Sequence, residues 1–129
     1  MQMKLNIRAV GFTLVELMIV IAVMAILVSL ALPNYQQSIR KGRRADAQTD
    51  LIEFVGQAER VFTQTNSYAT AILPANTDFY TYTFSVAAAA TVYTIQAAPK
   101  TVQDQDSCGT MRLDQAGLRT KTGTLADCW

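Results

Sequence analysis

The apolar run FTLVELMIVIAVMAILVSLAL, residues 12–32, constrains this chain more than any other feature. As a helix it would extend about 31 Å at 1.5 Å per residue, close to the thickness of a bilayer's hydrocarbon core. From Leu17 to Leu32 the only polar side chain is Ser29, so such a helix is apolar all round and has no face suited to water. Glu16 interrupts the run near its front. An ionised carboxylate at membrane depth costs several kcal/mol unless it meets a cation or reaches the interface. Two roles are open to it. Thr13 to Glu16 reads T-x-x-E, a capping box in which hydroxyl and carboxylate satisfy free backbone N–H groups, and the helix dipole favours an anion there. A glutamine would cap nearly as well, however, so the charge itself points to a cationic partner.

The apolar run takes a large share of the hydrophobic half of these 129 residues, and what remains can build one domain with a small core. Eleven Lys and Arg against ten Asp and Glu leave the chain near neutrality, which gives no net-charge argument for an acidic or nucleic-acid partner. With no histidine, the commonest general base, the usual triads and most zinc and haem sites are missing, so the chain reads as a non-enzyme without a cofactor. Asp104 to Gly109 opens like a calcium loop but fails at Cys108 and again at Gln115, where a bidentate Glu is wanted, so no metal is expected. Cys108 and Cys128 read as a disulfide in an exported part of the chain, a closure that stabilises by roughly 3 kcal/mol in the chain-entropy account. Charge counting opposes export. Arg40, Lys41, Arg43 and Arg44 behind the run outweigh Lys4 and Arg8 in front of it, and by the positive-inside tendency the C-terminal part would stay in the cytoplasm. A conventional signal peptide with a small-x-small site at Ser29, Leu30 and Ala31 also competes.

Behind Pro33 the helical pattern continues as an amphipathic half. Leu51, Val55, Ala58 and Phe62 form a stripe that Ile52, Phe54 and Val61 widen, while Asp50, Glu53, Gln57, Glu59 and Arg60 take other faces. Pro33 is expected to kink the helix rather than end it. Residues 65–129 read as an antiparallel sheet: strands over 80–88 and 91–97 joined by a short alanine link, further strands over 108–113 and 118–122 around the turn 114–117, and a loop over 66–78.

The short basic leader ending in Gly11, the run FTLVELMIVIAV with Phe12 first and Glu16 fifth, and LPNYQ around Pro33 together resemble the precursors of type IV pilins, a class that includes the pseudopilins of type II secretion. The cysteine pair ending in Asp127, Cys128 and Trp129 extends the resemblance to the C-terminus. It implies an α+β pilin fold. The leader, 1–11, would be removed; a long helix, 12–64, would divide into a membrane or filament-core half, 12–33, and an amphipathic half, 34–64. The latter would pack on the sheet domain, 65–129, with its disulfide-bounded region 108–128. One departure from the family pattern is Ala25, where pilins often carry a glycine.

The resemblance further implies that a prepilin peptidase cuts between Gly11 and Phe12 and methylates the new amino group of Phe12. The subunit would wait in the inner membrane with its C-terminal domain in the periplasm, and assembly machinery there would polymerise it into an extracellular filament. Glu16 would then meet the amino group of Phe12 on a neighbouring subunit. The cations 40–44 would face lipid headgroups before assembly and acidic side chains such as Asp46 or Asp50 of neighbours afterwards. The function expected is that of a type IV pilus subunit, minor or compact, partnered by other pilins. A type II secretion pseudopilin and a DNA-binding competence pilin are the alternatives. For the last, Lys100, Arg112, Arg119 and Lys121 are the candidate DNA contacts, against the plainer reading of scattered solvated charges.

Overall fold

The computed structural model describes residues 11–129, so all of the proposed leader except Gly11 lies outside the described residues. Helix α1, Leu14–Thr65, runs through Pro33 without a break in its assignment. By its internal contacts the chain divides into two units, one ending at Gln36 and the other spanning Gln37–Trp129. In the first, every side chain from Phe12 to Leu32 is exposed. It contributes nothing to a core, and by length and composition the helix can cross a membrane.

The second unit packs one stripe of α1 on a four-stranded antiparallel meander, β1 (Tyr80–Val86), β2 (Thr94–Pro99), β3 (Met111–Asp114) and β4 (Arg119–Lys121), in sequential order. The buried helix positions are Arg44, Ala47, Leu51, Phe54 and Ala58, at steps of three and four that keep one face inward. Opposite them lie Tyr80, Tyr82, Tyr93, Ile95, Ala97, Met111 and Leu113. Phe54 sits at the centre, edge-on to Tyr93 at 5.4 Å and to Phe84 at 5.7 Å between ring centroids. The expected stripe therefore holds at Leu51 and Ala58, with its centre moved slightly toward the Phe54 side. Phe54 leads, Val55 and Phe62 pack partly buried at its margin, and Ile52 is 49% exposed. The larger aromatic takes the deeper site because it buries more apolar area.

Local chemistry sets the boundaries. Asn66 adopts a left-handed conformation (φ 53°) and donates its N–H to the Phe62 carbonyl, ending α1 as a C′ residue does. The expected strand over 91–97 starts later, at Thr94, because residues 89–92 serve a turn: Ala89 and Ala90 present carbonyls to the Tyr68 N–H, and Ala89 donates to Val92. The strand expected from 108 begins at Met111, after a turn in which the Gly109 N–H (φ 60°) bonds Asp106. Between β3 and β4, Asp114 Oδ1 accepts the N–H groups of Ala116 and Leu118, with Gly117 at φ 80°. The disulfide Cys108–Cys128 closes the C-terminal region. Gly123 lets the two sides of that loop meet, since a Cβ there would lie 2.0 Å from the Ser107 carbonyl oxygen.

Because Leu51 is fully buried and its neighbour Ile52 is not, Leu51→Ala should cost about 2–5 kcal/mol and Ile52→Ala under about 1 kcal/mol. Denaturant unfolding followed through the single Trp129 checks both.

Candidate functional site

The start of α1 carries the first candidate site. Phe12 is 81% exposed. Thr13 Oγ1 accepts the Glu16 N–H at 3.2 Å, and Glu16 Oε2 accepts from the Thr13 N–H and hydroxyl, each at 3.4 Å. The capping box is formed, and its contacts are long and exposed, which leaves the carboxylate able to take a stronger partner. Farther along, Asn34 Nδ2 donates to the Leu30 carbonyl at 3.3 Å beside Pro33, which has no N–H of its own to give.

The four cations behind the apolar run do not form one patch. Arg44 is buried and makes a two-pronged pair with Asp106: Nη2 to Oδ1 at 2.6 Å and Nε to Oδ2 at 3.0 Å. This corrects the expectation that all four face headgroups or neighbouring acids. Arg43 instead lies over the Phe79 ring, 3.9 Å from its centroid. Asp50, one of the acids expected to face a neighbour, accepts the Tyr82 hydroxyl within the chain.

Asp106 is the hub of a polar network that composition and spacing did not disclose. Its Oδ2 also accepts the Tyr80 hydroxyl at 3.0 Å and its Oδ1 the Cys108 N–H at 3.1 Å. Gln103 Nε2 adds a contact to the Tyr80 hydroxyl at 3.3 Å and to the Arg40 carbonyl at 2.9 Å. Burial disfavours the Asp106 anion, but the hydrogen bonds from Arg44, Cys108 and Tyr80 prevail and hold its pKa below the ordinary carboxylate value. The Tyr80 hydroxyl is pushed well above its ordinary range by burial and by that carboxylate. The second carboxylate of the calcium-like stretch is thus engaged by donors from four residues of its own chain, Arg44, Tyr80, Gln103 and Cys108.

The candidate DNA contacts are placed differently from one another. Arg112 projects from the outward face of the sheet and donates from Nε to Gln96 Oε1 at 3.1 Å. Arg119 and Lys121 pair in register with Leu113 and Met111, so they belong to the opposite side of the sheet. Arg119 lies over Trp129, 5.4 Å from the ring centroid, and Lys121 Nζ donates to the carbonyls of Gly123 and Leu125. Lys100 Nζ donates to the Thr77 carbonyl. Their separation follows from the period-two pleat, since 112 and 119 or 121 fall in different cross-strand rows.

Comparisons with known proteins agree in kind. Residues 11–32 match the prokaryotic N-terminal methylation motif, and residues 33–112 match the family described as type IV minor pilin ComP, DNA uptake sequence receptor. Over 66 residues the chain is 33% identical to the type IV major pilin protein PilA of Myxococcus xanthus, a match covering 51% of this chain and 30% of that protein. A type IV pilin from Shewanella oneidensis superposes with a TM-score of 0.60 at 30% identity, covering 70% of this chain and 97% of the other. The Neisseria meningitidis non-core minor pilin PilV gives a TM-score of 0.59 at 24% identity, covering 71% and 95%, a likeness of fold.

The network makes stability depend on acid in a defined direction. A carboxylate whose folded pKa is depressed stabilises the fold above its ordinary pKa, and that contribution is lost as pH falls through that value toward the folded one. Asp106→Asn should leave the buried Arg44 uncompensated and cost about 3–5 kcal/mol at neutral pH. Unfolding measured from pH 7 to pH 3 should show the difference from the parent chain shrinking as acid removes the same charge.

Proposed function

The chain belongs to the type IV pilin family, and from that premise we propose that it is a minor or compact pilus subunit processed at Gly11–Phe12 and assembled through its N-terminal helix. The observation that carries this reading is the coincidence of two facts at one place. The methylation motif begins at Gly11, and the side chains that follow it are exposed apolar groups around one carboxylate. A surface of that composition needs lipid before assembly and other helices after it. Cleavage would create an amino group on Phe12, and an amine of a neighbouring subunit is the cation that Glu16 requires once water and headgroups are gone.

On this reading the peptidase acts on the cytoplasmic side of the inner membrane and the unit Gln37–Trp129 faces the periplasm. That orientation fits the disulfide, which persists in oxidising compartments. It also eases the conflict with charge counting: of the four cations behind the span, Arg44 is neutralised by Asp106 and Arg43 is engaged by Phe79.

A second reading is favoured by the family that matches residues 33–112, whose description names a DNA uptake sequence receptor. It makes this subunit a DNA-binding pilin, and it requires the full chain to retain duplex DNA with an affinity that falls as salt rises.

Intact mass of the purified subunit should show loss of residues 1–11 and gain of one methyl group; a chain beginning at Leu32 would refute the processing. Glu16→Gln keeps the cap and membrane insertion, so it should give normal amounts of membrane-held subunit but few filaments in sheared fractions. Abundant filaments from that variant would make Glu16 a cap and nothing more.

A further inference from the structure

The outward face of the sheet holds a cation that the fold orients but does not consume. Thr83, Gln96, Arg112 and Thr120 stand in register across β1, β2, β3 and β4. Their strand neighbours Tyr82, Ile95, Ala97, Met111 and Leu113 are buried in the core, so strand alternation sends this row to the other side. The row is hydrogen-bonded in one direction. Arg112 Nε donates to Gln96 Oε1 at 3.1 Å, and Gln96 Nε2 donates to Thr83 Oγ1 at 3.0 Å. With both ends of the Gln96 amide engaged, its oxygen is held toward β3, and the guanidinium is held with it.

Among the described residues, neither Nη group of Arg112 makes a hydrogen bond or an ion pair. Lys100 and Lys121 are bonded to backbone carbonyls and Arg119 lies over Trp129. Asp114 shares the outward face and carries a negative charge, but its Oδ1 is turned to the N–H groups of Ala116 and Leu118 and it makes no ion pair with Arg112. A planar guanidinium with a free Nη edge matches the oxygens of a phosphodiester, and fixing it beforehand removes part of the entropic cost of binding. Thr83 and Thr120 add hydroxyls to the same row. The outward positions Thr81, Thr83, Thr94, Gln96, Ala98, Arg112, Asp114 and Thr120 include no aromatic ring. That excludes the stacking platform that unpaired bases use and suits the backbone of a duplex.

We propose, resting on the DNA-binding reading above, that this outward face docks duplex DNA, with Arg112 as a phosphate ligand and Gln96 as the residue that positions it. The probe is a fluorescent DNA duplex titrated with the full chain in detergent across a salt series. Arg112→Gln should weaken binding roughly tenfold, the loss of one charge-assisted contact, and should lower the slope of log affinity against log salt by about one. The loss should be equal for two duplexes of unrelated sequence, because a phosphate carries no base information. Gln96→Leu keeps the charge, so the slope should hold while affinity falls a few-fold; unchanged unfolding midpoints for both variants separate this from a structural defect. If Arg112→Gln binds as the parent does while Arg119→Gln with Lys121→Gln loses binding, the assignment fails and the DNA reading stands. A loss confined to one duplex sequence overturns the phosphate role. Absence of duplex binding by the parent chain even at low salt overturns both.

Discussion

The pairing of Arg44 with Asp106 is the constraint on which the second unit depends. Both side chains are buried, and a buried ion pair gains little net free energy, because desolvation offsets most of the attraction. Its value lies in what it excludes. A lone guanidinium in that place would be intolerable, so any packing that separates the two groups is heavily disfavoured. Arg44 lies on the same stripe as Ala47, Leu51, Phe54 and Ala58. Holding Arg44 therefore fixes the rotation of the helix against the sheet. Asp106 in turn accepts the Cys108 N–H, so the same carboxylate fixes where the disulfide-bounded region begins.

That constraint explains what the sequence disclosed and what it concealed. The membrane-length run, the T-x-x-E cap, the hairpin between 80 and 97 and the cysteine pair are local patterns, and each emerged close to where it was read. The centre of the amphipathic stripe emerged only in part: Leu51 and Ala58 are buried, but Phe54 takes the place expected for Val55. Leu51, Val55, Ala58 and Phe62 satisfy the helical period as well as Leu51, Phe54 and Ala58 do, and only contact with Tyr93 and Phe84 decides between Phe54 and Val55. Arg44 was harder still. Among four neighbouring cations nothing local marks the one whose partner lies 62 residues away. The acid that marks it, Asp106, reads locally only as a member of a calcium-like stretch.

The candidate DNA contacts show the same limit in a sheet. Arg112, Arg119 and Lys121 are close in sequence and look like one basic patch. The register Arg112 with Thr120, and Leu113 with Arg119, puts them on different sides of a single pleated surface. Parity alone would have separated 119 from 120 but could not say which parity faced outward. The burial of Met111 and Leu113 decides it.

The two units consequently present surfaces of opposite character. Residues 12–32 expose hydrocarbon with one carboxylate, in a helix long and apolar enough to cross a membrane. The sheet directs its tyrosines and aliphatic side chains at the helix and leaves threonines, a glutamine, an arginine and an aspartate outward. Because the strands alternate, the residues that build the core and those that face outward are interleaved but independent. Neither Gln96 nor Arg112 belongs to the core that Ile95, Ala97, Met111 and Leu113 help to build. An outward face of this kind can vary its chemistry while the helix, the ion pair and the disulfide continue to hold one fold.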